Sequence, residues 1–458
     1  MATPATAPPA VAPILSTPDT HIFEDPTPAP VNVDASLPKL SDEQLYVQYE
    51  IKRTVEEIRR ESWRRVALQF PDEMLGDAPR VYNALAKGLG EERRRRGRRS
   101  RRGSSGRSTE KSDGGGDVAE GKAVVDATRG KESGVEELEK RMDDVVLRQD
   151  EEVEQDREQE EKIYILADTS YGACCVDEVA AEHVNADVVV HYGRACLSPT
   201  ARLPVVYVFT TKPLALGPVV ESFREVFPDK GQAVVLMADI PYSSHVPELH
   251  RLLQEDGYTN VFKTEVIHDP SSPLPNRTVP ADVADDTSAL RNYQLFHISD
   301  PPSSLLLTLS SRVGNIYIYP TNSPGPSAHI QANSSMALRR RYALLTRLST
   351  VPIFGILINT LSVKNYLDIL EQVKRSIAAA GKKSYTFVVG KVNAAKVANF
   401  SEVGGWVVIG CWESSLIESK EFWRPIVTPF ELEVALKGDA ERVWTGEWTG
   451  DFQAVLKE

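Results

Sequence analysis

The chain has 458 residues, 41% of them hydrophobic and 26% charged, with a formal net charge of -12. That length is too great for one ordinary domain, and the composition is that of a soluble globular protein. The acidic balance argues against a surface that coats nucleic acid, no apolar run reaches the roughly 18–20 residues of a membrane-crossing helix, and the N-terminus lacks the layout of a secretory signal; the expected location is cytoplasmic, with no nucleic-acid or membrane partner.

Residues 1–37 are rich in Pro, Ala and Thr and read as a disordered tail. Ser41 and Gln44 form a capping-box pair, and Val47, Ile51, Val55 and Ile58 then recur at helical spacing. A short apolar run, Val66–Phe70, reads as a strand, and Arg80–Leu89 as a helix. The texture then changes. Eight arginines fall between Arg93 and Arg102, a Ser/Gly-rich stretch follows, and an acidic run ends at Glu161. Residues 91–161 read as a solvated, disordered insertion with opposite charge at its two ends. A nucleic-acid patch would need interleaved aromatics that the run lacks.

From Lys162 onward, strand and helix signals alternate. The strand runs are 163–168, 186–192, 204–209, 233–239, 315–320, 353–358, 385–390 and 405–410. Near-continuous Val/Ile/Leu runs of this kind suit parallel strands covered on both faces. Residues 265–303 are rich in Pro, Asp and Ser and read as a long loop. Ser362 is the expected cap of a helix whose Tyr366, Ile369, Leu370, Val373 and Ile377 form a stripe, closed by Gly381. Breaks near 210 and 350 divide the chain into three α/β units: 38–210, 211–350 and 351–458.

The four cysteines carry the chemistry. Cys174, Cys175 and Cys196 crowd into one strand–helix–strand stretch, and Cys411 follows the 405–410 run directly. Each cysteine segment lies just past the C-terminal end of a strand, the edge where open α/β sheets place ligands. If the strands 163–168 and 186–192 are neighbours, about 4.8 Å apart, their loops can serve one site. Adjacent side chains diverge, so Cys174 or Cys175, but not both, is expected to join Cys196 and Cys411. Thiolates select iron–sulfur clusters, zinc or copper(I), and the CxxC knuckles of structural zinc sites are missing. Three thiolates can hold a four-iron cluster with one iron open. Inert buried cysteines fit the spacing equally well, and zinc completed by His191 or His183 is a lesser alternative. Asp168, Tyr171 and His191 flank the cysteine loops at hydrogen-bonding range of any cluster, or as strand-end packing. No P-loop, dinucleotide fingerprint or Ser/His/Asp signature is present.

The stretches YGACCVDEVAAEHVNADVVVHYGRACLSP and GCWESSLIESKEFWRPIVTPFELEVAL are specific, and through them the chain resembles the diphthamide biosynthesis family that forms the 2-(3-amino-3-carboxypropyl)histidine synthase. The resemblance runs from about residue 40 to the end, outside 91–161 and 265–303. It implies three similar α/β domains, with small parallel sheets flanked by helices, around a central cysteine-bound cluster. It also implies transfer of a 3-amino-3-carboxypropyl group from S-adenosylmethionine to a histidine of elongation factor 2, by a heterodimer of related subunits. Cys174 and Cys411 match the family's first and last ligand positions. The catalytic subunit draws its middle ligand from the second domain, where this chain has no cysteine; the subunit-2 pattern uses Cys196 instead. The implied cofactor is therefore a [4Fe-4S] cluster on Cys174, Cys196 and Cys411. The implied role is accessory: to accept electrons from a small iron-binding protein served by an NADH-dependent reductase, and to keep the catalytic subunit's cluster reduced. Phe422, Trp423 and Arg424 are candidate contacts for that subunit, with core packing the competing expectation for the two aromatics.

Overall fold

A computed structural model describes residues 40–104, 160–166, 174–322, 329–332, 334–418, 422–443 and 445–456, with backbone alone over 92–104. The tail 1–37, most of the charged insertion, and Asp168 and Tyr171 lie outside these residues. Three small sheets organise the chain, each built mainly of parallel strands.

The first sheet contains β1 (Arg65–Gln69), β2 (Lys162–Leu166), β3 (Val188–Tyr192) and β4 (Val205–Val208), in the order β2-β1-β3-β4. The strands 163–168 and 186–192 are thus not neighbours; β1 lies between them and pairs with both. Alternation explains the apolar runs. Val66, Leu68, Val188 and Val190 face the helices Ile51–Glu61 and Ala78–Ser104, while Ala67 and Val189 face Val176 and Ala181 on the other side. The first helical stretch differs from its expected form. The capping box at Ser41 and Gln44 is present, but Glu50 adopts a left-handed φ of 46° and splits the stretch into Asp42–Gln48 and Ile51–Glu61. The break turns Val47 outward, 76% exposed, while Ile51, Val55 and Ile58 stay buried. The helix starting at Ala78 runs to Ser104, so residues 91–104, assigned from composition to disorder, are helical.

The second sheet runs β6-β5-β7-β8-β9: β5 (Val234–Ala238), β6 (Val261–Lys263), β7 (Gln294–Ile298), β8 (Ile316–Tyr319) and β9 (Ile330–Gln331), with only β9 antiparallel. The strand β7 and the helix Ala281–Asp285 fall inside 265–303, so that stretch is not one long loop. The third sheet runs β11-β10-β12-β13: β10 (Ile353–Ile358), β11 (Lys383–Val388), β12 (Gly405–Ile409) and β13 (Ile426–Val427). Its helix Tyr366–Ala379 buries Ile369, Leu370, Val373 and Ile377, and Gly381 ends it with φ 71°. Asn365, not Ser362, occupies the N-cap position, because the Ser362 hydroxyl is used elsewhere. At Gly355 a Cβ would stand 2.2 Å from the Trp406 ring, so this pairing of β10 with β12 requires glycine.

The largest core joins one face of the second sheet (Val235, Met237, Leu295) to one face of the third (Phe354, Ile356, Ile358, Val407, Ile409). Cys175, Cys196 and Cys411 belong to it. Among the described residues no helix is long and apolar enough to cross a membrane.

Candidate metal centre

The sulfur atoms of Cys174, Cys175, Cys196 and Cys411 all lie within 4.8 Å of one another. Cys175, Cys196 and Cys411 are buried and Cys174 is half-buried. The sequence places three of these thiols in one site and turns Cys175 away. The structure brings all four together, with the Cys174 and Cys175 sulfurs 4.0 Å apart. That gap is about twice the roughly 2.05 Å of a disulfide, and all four are free thiols.

Strand periodicity aims Cys411. Val407 and Ile409 point into the large core, and the residue two further on points the same way. The Ser414 N–H donates to Cys411 Sγ at 3.2 Å, and the Ser414 Oγ lies 3.2 Å from the same sulfur. The other cysteines are held through their backbone. Gln69, ending β1, donates from Nε2 to the Cys175 carbonyl at 2.7 Å and accepts the Asp177 N–H on Oε1 at 2.9 Å. Asp177 then caps the helix Glu178–His183 by accepting from the Ala180 N–H at 2.9 Å. The Cys196 N–H donates to the Cys174 carbonyl at 3.0 Å, which joins the two cysteine loops directly. The Cys196 carbonyl accepts from Asn276 Nδ2 at 2.8 Å and from Trp412 Nε1 at 2.7 Å, so all three sheets contribute to this one peptide.

The helix between the cysteines turns one face inward. Glu178 and Ala181 are buried, and His183 is exposed. The Glu178 carboxylate accepts the N–H groups of Ala201, Arg202 and Leu203, and its own N–H donates to the Ser362 hydroxyl. A buried charge held by three backbone donors is compensated, and it ties the loop after Cys196 to the helix after Cys175. Gln69, Glu178, Asn276 and Trp412 escape the sequence reading. Only Trp412, next to a cysteine, carried a local signal. His191 is buried in β3 beside Tyr207 and does not join the four sulfurs. Phe422 packs against the core around Trp406, whereas Trp423 is 82% exposed.

Four thiols this close cannot titrate independently. Hydrogen bonds to Cys174, Cys196 and Cys411, together with burial, push the Cys175 thiol well above its ordinary value. Hydrogen bonds from Cys174, Cys175 and Cys196 hold Cys411 well below it, against burial, with help from Ser414. All-sulfur donors in an apolar, largely closed setting fit a soft metal centre.

The fold and the sulfurs together define an α/β protein of three small sheets with a thiolate metal centre at their meeting point. The family model described as "Putative diphthamide synthesis protein" matches residues 138–449, and the chain belongs to that family. It is 55% identical over 451 residues to 2-(3-amino-3-carboxypropyl)histidine synthase subunit 2 from Emericella nidulans, covering 98% of this chain and 71% of that one. It is 57% identical over 450 residues to the protein of the same name from Aspergillus fumigatus, covering 98% and 74%. Among solved structures it resembles Dph2 from Pyrococcus horikoshii with a 4Fe-4S cluster, at a TM-score of 0.55 and 16% identity, covering 88% of this chain and 94% of that one. That likeness is one of fold.

Proposed function

We propose that this chain is the second subunit of a 2-(3-amino-3-carboxypropyl)histidine synthase and holds a [4Fe-4S] cluster through Cys174, Cys196 and Cys411. The observation that carries this reading is the convergence of four thiols within 4.8 Å at strand ends of two sheets. The relatives' names and the cluster in the archaeal Dph2 structure support it. When bound, such a cluster supplies one-electron transfer. The residues of this chain bind it, exclude water from three of the four sulfurs, and leave the half-buried Cys174 as the side nearest solvent. In this reading the electron donor is a small iron-binding protein served by an NADH-dependent reductase, and the acceptor is the catalytic subunit. That subunit transfers the 3-amino-3-carboxypropyl group from S-adenosylmethionine to a histidine of elongation factor 2, in the cytoplasm. The three sheets correspond to three domains, 38–210, 211–350 and 351–458.

One observation favours a second reading. A single tetrahedral zinc ion with sulfurs at about 2.3 Å sets them roughly 3.8 Å apart, closer to the observed spacing than the wider spread a four-iron cube needs. The test of role is anaerobic co-purification with the catalytic subunit, then metal analysis of each chain and a dithionite-driven turnover assay. Iron and sulfide on both chains, with no cleavage of S-adenosylmethionine by this chain alone, is expected. Zinc on this chain contradicts the cluster, and cleavage by this chain alone contradicts the accessory role.

A further inference from the structure

Two residues before Cys196, Arg194 closes a fork across the three sheets. Its Nε donates to both oxygens of Asp239, at 3.0 and 3.1 Å. Its two terminal nitrogens donate to the two oxygens of Glu413, at 2.6 and 3.0 Å. Asp239 follows β5 of the second sheet, and Glu413 stands two residues past Cys411 in the third. The three side chains are 30%, 13% and 9% exposed. A two-pronged Arg–carboxylate pair is directional as well as strong, so it fixes orientation where a point charge would not. An arginine guanidinium keeps its charge in proteins, so the fork carries a positive charge.

The same short loop is gripped at its other end. Gly193 opens it with φ 82°, and the Cys196 carbonyl takes the bonds from Asn276 and Trp412. The second and third sheets therefore each hold this loop at two points. Through Glu413, the fork joins the segment carrying Cys196 to the segment carrying Cys411.

We propose that Arg194 is a positioning residue of the thiolate centre, fixing Cys196 against Cys411 by gripping Glu413 and Asp239 together. The inference rests on the metal-centre reading, and one experiment separates the two. Full-length wild type, Arg194→Met, Arg194→Lys and Glu413→Gln are purified anaerobically. Metal and sulfide content, the electron paramagnetic resonance of the dithionite-reduced state and its midpoint potential are measured, with circular dichroism as a check of fold. Arg194→Met is expected to retain metal about 10–100-fold less tightly, the usual cost of losing a partner behind the ligands. Its residual signal shifts in g-values, and its potential becomes more negative, because a positive charge beside the centre is gone. Arg194→Lys keeps the charge without the fork, so it recovers the potential more than the metal retention. If Arg194→Met does not fold, Arg194→Lys and Glu413→Gln are still expected to show reduced metal retention. Wild-type retention, spectrum and potential in the folded variants overturn the role of Arg194. Loss of whichever metal the wild type holds supports it, and the identity of that metal judges the cluster reading separately.

Discussion

The second and third sheets share a strand order at their cores, β6-β5-β7-β8 and β11-β10-β12-β13, and the first sheet repeats it as β2-β1-β3-β4. Their C-terminal edges differ in chemistry. Past β12 the third sheet offers Cys411, Trp412 and Glu413; past β5 the second offers Asp239, and its loop offers Asn276, with no sulfur. The difference teaches that the repeated sheet supplies position alone. Whether an edge brings a ligand or a brace depends on the one or two residues that follow the strand.

Several substitutions can break that division of labour. The largest effect is expected at the ligands: Cys196→Ala and Cys411→Ala should each reduce iron to background after anaerobic purification, with Cys174→Ala close behind. Cys175→Ala should lose less. Equal losses at 174 and 175, read by iron and sulfide assay, would contradict the choice between these neighbours. Next comes the buried pair between Arg341 and Glu431, which also accepts from Trp448 and from the Thr428 N–H. Arg341→Met strands a carboxylate of zero exposure and should cost about 3–5 kcal/mol in urea unfolding. The metal content of the folded fraction should not change, since the pair ties the helix Ser335–Ser349 to the third sheet and Arg341 bonds Glu431, Ile417 and Ile426 rather than a cysteine segment. Gly355→Ala forces a methyl into the Trp406 ring and should cost about 1–3 kcal/mol. Asn276→Ala removes one brace from the Cys196 carbonyl, which keeps Trp412, and should cost about 1 kcal/mol with a modest loss of iron. If it instead emptied the site, the second sheet would be more than a brace. Trp423→Ala, at an exposed position, should change stability by less than about 0.5 kcal/mol. Weaker co-purification with the catalytic subunit is its expected phenotype.

Much of this architecture was legible in the sequence, for a physical reason. The strands β3, β5, β10 and β12 are covered on both faces, so nearly every residue is apolar and the run stands out. The strand β7 is equally central but reads QLFHI, with a polar residue at one end and a histidine buried near the other. Pro/Asp/Ser-rich flanks hid it inside an apparent loop. The position of β1 between β2 and β3 was not legible either, because strand order is decided by packing across a long insertion. At the site, strand ends pointed to a meeting of one of Cys174 and Cys175 with Cys196 and Cys411, and the family resemblance selected Cys174. That both neighbours join was not legible, since the direction of Cys175 is set by a turn latched to Gln69. Arg194, Asp239 and Glu413 left no local pattern: the fork joins positions 45 and 219 residues apart.

The central claim is that thiols from the first and third sheets hold an iron–sulfur cluster. Its most direct test is elemental and sulfide analysis of the wild-type chain purified alone under anaerobic conditions. The account predicts a brown protein with iron and sulfide in equal amounts, about four of each per chain. A colourless protein carrying one zinc ion and no sulfide would contradict it.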